Sequence, residues 1–219
     1  MQLKKITDLS HIIDDNISVF PGSLLPVIKQ TSSVIVDGFS EMSISMNSHT
    51  GTHVDAPSHM IHKAPSLDHY HIRDFIGKAK VIDCSYLEPH SEIPASAVIQ
   101  YEAELRNLDF VLFYTGWSKK WGTQDYVTGF PVMSRDCVAF MCEQNLKGIG
   151  IDCVSIDNID SLDYPTHKLI LKKSMVIIEN LNDLASLIGK EFLIACFPLN
   201  IPNADASPVR AVGIEYNCT

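Results

Sequence analysis

The apolar positions of this 219-residue chain fall in short runs, with no long amphipathic stripe. Alternation in Met42-Ser43-Ile44-Ser45-Met46 predicts a strand with one buried face, leading directly toward His49. Runs at residues 80–84, 110–114, 148–156, 175–178 and 192–199 are rich in β-branched or aromatic residues. Gly, Pro or Asp bounds them, the signature of strands. Residues 209–216 are expected to close the chain as another strand. Between these, residues 94–106 carry a proline where a first helical turn tolerates one, and residues 134–145 open on a capping serine and stop before Lys147-Gly148. A third helix is expected to start at Asn182. Strands that outnumber helices and mix with them along the chain predict an α/β or α+β fold with a mixed sheet. We find no repeat, linker or low-complexity tract, so residues 1–219 are read as one domain.

Composition narrows the function more than the fold. With 46% hydrophobic and 20% charged residues, the chain can bury a substantial core, which argues against disorder. A net charge of −9 with no basic block argues against nucleic acid as a partner. The basic pair Lys4-Lys5 runs into polar and acidic residues, and no apolar run approaches membrane-spanning length. A cytosolic protein with no membrane partner is expected. Cysteines 84, 137, 142, 153, 196 and 218 form no Cys-x-x-Cys pair and are read as reduced thiols, mostly buried.

The candidate chemistry is concentrated in one stretch. Six of the nine histidines lie between residues 49 and 71, three of them in His49-Thr50-Gly51-Thr52-His53-Val54-Asp55-Ala56-Pro57-Ser58-His59. Neutral imidazoles are common transition-metal ligands, and Asp55 adds an oxygen donor with a balancing charge. The His49/His53 spacing suits a helix face, but Gly51 weakens a helix and Pro57 pushes Ala56 out of helical angles. A turn followed by extended chain is the better reading. There His53 and Asp55 point to the same side by the period-two rule. His62, His69, His71, His11 and His90 have no such setting and are read as solvated loop residues.

The string with His59 resembles the signature of the cyclase-family metal hydrolases, whose best-described members are the bacterial kynurenine formamidases and the isatin hydrolases. Later blocks follow in the family's order: Thr115-Gly116-Trp117, Phe130-Pro131, Gly150-Ile151-Asp152-Cys153-Val154-Ser155-Ile156-Asp157, then His167, and Glu179-Asn180-Leu181. The resemblance implies a swivelling β/β/α-type domain and assembly as a homodimer or larger oligomer, with pockets near subunit contacts. It further implies two divalent metal ions per subunit, zinc first and manganese second. His49, His53 and Asp55 would be ligands, with Asp55 bridging; His167 would complete the second ion's shell, Glu179 would bridge or bind from the opposite side, and His59 would be the acid/base. On local pattern alone, His167 is a histidine in a helical stretch at 166–173 and Glu179 a carboxylate at the mouth of a buried strand. Such a carboxylate needs a partner to offset desolvation.

The implied chemistry is amide hydrolysis. Two cations bring four positive charges against two bridging carboxylates, leaving a centre that lowers the pKa of water and stabilises an oxyanion. The leading substrate by resemblance is N-formyl-L-kynurenine, followed by a cyclic aryl amide of the isatin type. A non-catalytic metal-binding protein is the reading from another class. The family's Trp-Pro-Gly-Asp segment is Phe20-Pro21-Gly22-Ser23 here, so Phe20 is the candidate substrate contact, with a stacking face but no indole N–H.

Overall fold

A computed structural model describes residues 2–217. Parallel strands form the centre of its main sheet, as the most continuous apolar runs require. In chain order the elements are β1 (Gln2–Asp8), β2 (Val27–Ser32), α1 (Val34–Asp37), β3 (Glu41–Ser45), β4 (His53–Asp55), β5 (Ile76–Asp83) and β6 (Glu92–Ile93). There follow α2 (Ser96–Ile99), α3 (Glu102–Leu105), β7 (Phe110–Tyr114), β8 (Val132–Met133), α4 (Arg135–Cys142) and β9 (Gly148–Ile151). The last are α5 (Pro165–Leu171), β10 (Val176–Glu179), β11 (Phe192–Ala195), β12 (Ala206–Pro208) and β13 (Val212–Asn217).

Nine strands make one mixed sheet in the order β1-β13-β11-β5-β7-β9-β10-β4-β12. The four strands β5, β7, β9 and β10 run parallel to their neighbours in that series. Antiparallel strands extend it on both sides. All five residues of β7 are buried, as are all four of β9 and of β10. One apolar cluster covers the face carrying Val111, Phe113, Ile149 and Ile177, and a second covers Phe110, Leu112, Val176 and Ile178. Close spacing inside the sheet explains Gly150, where a Cβ would meet the Leu112 and Leu181 side chains at 2.7 Å. Thus the α/β fold with a mixed sheet expected from the sequence is the one observed.

Several elements differ from expectation for local reasons. The strand at 42–46 exists, yet no residue of β3 is buried, because it pairs only with β2 in a separate two-stranded arm. Residues 94–106 form two short turns of helix, α2 and α3. The chain leaves helical angles at Tyr101 (φ −105°, ψ 9°), whose ring lies under Lys80 Nζ at 4.3 Å. The helix expected from Asn182 is a single 3₁₀ turn, Leu184–Leu187, ended by Gly189 at φ +71°. Ser134 does cap α4, accepting from Cys137 N at 3.1 Å, a contact worth about 1 kcal/mol. Cys84, Cys137, Cys153 and Cys196 are buried and unpaired, and Cys142 is half-buried. Cys218 lies outside the described residues. No helix among the described residues is long and apolar enough to cross a membrane.

Candidate metal centre

Sheet pairing creates the site. β4 sits between β10 and β12, and its antiparallel register sets Glu179 opposite His53, Ile178 opposite Val54 and Ile177 opposite Asp55. Cross-strand partners share a face, and so do residues two apart, so His53, Asp55 and Glu179 converge while Val54 and Ile178 enter the core behind. The ligand-bearing segment is therefore a strand inside the sheet, not the end of β3 as the alternation at 42–46 suggested. Before it comes the expected turn, with Gly51 in the left-handed region at φ +67°. After it Pro57–His59 form one 3₁₀ turn, which swings His59 back toward His49 with ring centroids 4.0 Å apart.

The second half arrives from the opposite side. Tyr164 caps α5 in the left-handed region, φ 45° and ψ 57°, and Pro165 occupies the first turn. His167 follows on the buried face of α5. Its Nε2 lies 3.2 Å from Glu179 Oε1 and 3.9 Å from Asp55 Oδ2. His53 Nε2 lies 3.3 Å from Asp55 Oδ1 and 3.5 Å from Glu179 Oε2, and His49 Nδ1 lies 2.9 Å from Asp55 Oδ1. The structure thus brings together all six histidine and carboxylate residues singled out in the sequence, with Asp55 at their middle.

Their polar atoms are poorly served by one another. Both oxygens of the fully buried Asp55, and Nε2 of His53, have no hydrogen-bond partner among the described residues. Leaving buried acceptors unmade costs about 1–3 kcal/mol each, so the arrangement calls for something between them. Donors about 2.0–2.1 Å from a tetrahedral ion stand roughly 3.3 Å apart, which is the spacing found here. Two groups have donor atoms mutually within 4.8 Å: His53, Asp55 and Glu179, and His49, Asp55 and His59. The donor set of imidazoles and carboxylates fits a borderline divalent cation.

The backs of the rings are tied down. His53 Nδ1 donates to Gly51 O at 2.8 Å and His167 Nδ1 donates to Asp157 Oδ2 at 2.8 Å, so each presents Nε2 inward. Asp157 also accepts from the backbone N–H groups of Thr166 and His167, which closes the start of α5 onto it. Asn180 donates to Gly51 O at 2.9 Å and accepts from the Tyr126 hydroxyl at 2.8 Å. Asp157 and Asn180 stand in the sequence blocks that carry the resemblance, but nothing local marked them as supports; Asp205, 3.0 Å from His49 Nε2, stands in none.

Electrostatics follow from this crowding. Burial works against the charge of His49, yet Asp55 and Asp205 raise it to about 10; against the same opposition Asp157 and Glu179 raise His167 to about 10. Burial would push Asp55 upward, but His49 and His53 hold it well below the usual carboxylate range. Both raised imidazoles carry a proton at neutral pH. His59 goes the other way: burial lowers its pKa, which favours the neutral imidazole.

A cavity of about 280 Å³ opens over these groups. Val19, Phe20, Leu24, Met60 and Val154 give it apolar walls, while His49, His53, His59, His167 and Glu179 form its polar floor. Phe20 is one of the residues that line the cavity. Of the histidines read as solvated loop residues, His62, His71 and His90 are exposed, and the His69 side chain is 61% exposed. His11 is a correction: its ring stacks on Trp121 with centroids 4.0 Å apart, and burial lowers its pKa to about 4.

Comparison with known proteins identifies the family. Residues 7–158 match the Cyclase family. The chain is 33% identical over 182 residues to an uncharacterized protein of Methanocaldococcus jannaschii, covering 82% of this chain and 85% of that one. It is 28% identical over 220 residues to a kynurenine formamidase of Bacillus mycoides, covering 97% and 98%. Among solved structures, isatin hydrolase A from Labrenzia aggregata bound to benzyl benzoate superposes with a TM-score of 0.88 at 28% identity, covering 97% of this chain and 94% of that one.

Proposed function

This chain belongs to the Cyclase family, and from that premise we propose that it is a metal-dependent hydrolase of small amides, folded as one domain over residues 1–219. The observation that carries the reading is the fully buried Asp55, its two oxygens unpartnered and facing the nitrogens of His49, His53 and His167. His49, His53, Asp55, His167 and Glu179 would hold two divalent cations, zinc by preference and manganese next. Cations held there supply the charge that polarises a substrate carbonyl and brings the pKa of a water toward neutrality.

The chain's own residues do the rest. His59 is neutral and lines the cavity. With Nδ1 turned toward Asp205, its Nε2 is the nitrogen left to take the proton of the attacking water and return one to the departing nitrogen. Phe20 offers a flat face to an aromatic acyl or amine group, and Val19, Leu24 and Met60 exclude water around it. N-Formyl-L-kynurenine, an aryl formamide, suits such a pocket, which would place the chain in tryptophan breakdown. The kynurenine formamidase relative supports that substrate. A cyclic aryl amide of the isatin type is the second reading, supported by the isatin hydrolase likeness. Zinc- or manganese-loaded protein should release formate from N-formyl-L-kynurenine, followed by absorbance, and a chelator should stop it. Bound metal with aryl formamides, lactams and esters all left intact would instead favour a binding protein without catalysis.

We also propose a homodimer or larger assembly in the cytoplasm. The arm of β2, α1 and β3 buries none of its residues and exposes Val27, Val34, Ile35, Val36, Met42 and Ile44. An apolar surface of this extent is expected to be covered in solution. Its base, Ser23 and Leu24, lines the cavity. Sedimentation should give at least twice the mass of the chain, and Ile35→Asp with Ile44→Asp should shift it to the mass of one chain. A wild-type protein that sediments as a monomer at micromolar concentration would reject the assembly.

A further inference from the structure

Each imidazole that faces Asp55 has an acceptor behind it, and the third of these acceptors does something the other two do not. His53 is backed by the Gly51 carbonyl and His167 by Asp157, each bond private to one ring. His49 is backed by Asp205, whose Oδ2 accepts from Nε2 at 3.0 Å. The same oxygen lies 3.6 Å from His59 Nδ1. One carboxylate oxygen therefore stands behind two rings whose centroids are 4.0 Å apart.

We propose that Asp205 is a positioning residue that sets His49 toward the cation site and, through the same oxygen, aims His59 at the cavity. The geometry explains why His49 presents Nδ1 to Asp55 where the other two rings present Nε2: its Nε2 is engaged by Asp205. It also explains how an acid/base on a short 3₁₀ turn keeps its direction, since Pro57–His59 supplies no side-chain cap of its own. Asp205 is well anchored for the task. Its carbonyl accepts from Ala56 N at 2.8 Å, and the next residue, Ala206, pairs with Asp55 in the sheet. The carboxylate thus moves with the strand that carries the central aspartate. Its side chain is 45% exposed, so replacing it opens no hole in the core.

The inference rests on the reading of His49 as a ligand and His59 as the acid/base, and its test separates the two. Full-length wild type, His49→Ala, Asp205→Ala and Asp205→Asn are compared by zinc competition against a chromophoric chelator and by the visible absorption of the cobalt-loaded protein. Asp205→Ala is expected to weaken zinc binding about 10- to 100-fold and to shift the cobalt bands. Asp205→Asn should lose less, because its amide oxygen still accepts from His49 Nε2. At saturating zinc, Asp205→Ala should turn over N-formyl-L-kynurenine about 10-fold more slowly with KM within about twofold. Unchanged zinc affinity in Asp205→Ala, beside a loss in His49→Ala, overturns the inference alone. Normal turnover at saturating zinc removes His59 from it. A wild-type chain that takes up neither zinc nor cobalt overturns the underlying reading and the inference together.

Discussion

Asp55→Asn is expected to bind zinc at least about 100-fold more weakly than the wild type, beyond what losing an outer support costs, and to lose hydrolysis with it. The substitution keeps the shape and one oxygen but removes the charge shared by His49, His53 and His167, whose nitrogens lie 2.9, 3.3 and 3.9 Å from the two oxygens. It also places an amide N–H₂ among groups that must all act as acceptors toward a cation. Thermal unfolding provides a readout that needs no substrate. Wild type should gain stability on adding zinc, by about 4 kcal/mol at a thousand times Kd, whereas Asp55→Asn should gain no more than about 1.4 kcal/mol at the same concentration. Equal zinc-dependent stabilisation in the two proteins would remove Asp55 from the centre.

His59→Ala should do the opposite: near-normal metal content with turnover reduced about 10²- to 10⁴-fold, the usual contribution of a positioned acid/base. The distinction has force because His59 is near enough to His49 and Asp55 to share a cation with them. Ligation would make the alanine variant lose metal in step with activity. Proton transfer would leave metal in place and depress kcat alone. Metal analysis of the purified variant, beside its steady-state kinetics, separates the two outcomes, and loss of metal would reassign His59 to the coordination set.

The parts of the site legible in the sequence are those fixed by local geometry. His53 and Asp55 share a side because extended chain alternates, and Gly51 with Pro57 excluded the helix that His-x-x-x-His spacing would otherwise suggest. Glu179 ends an apolar run, but only the resemblance to the family singled it out, as it did His167. What the sequence leaves open is which strands are neighbours. Nothing in residues 41–45 tells that β3 faces solvent on both sides, because alternation reports two faces and not what covers them. Nor does any local pattern join Asp205 to His49 across 156 residues, or place His11 against Trp121. Tyr101 shows the limit at shorter range: its neighbours favour one helix, yet the chain leaves helical angles there, with its ring under Lys80.

The pairing of β4 with β10 also sets a timetable for synthesis on the ribosome. His53 and Asp55 leave the exit tunnel more than a hundred residues ahead of His167 and Glu179, and Asp205 follows later still. A nascent chain therefore displays His49, His53, Asp55 and His59 for more than a hundred residues of its translation before His167 and Glu179 follow. The complete donor set comes together only with closure of the sheet, a long-range pairing of the kind that forms late and slowly.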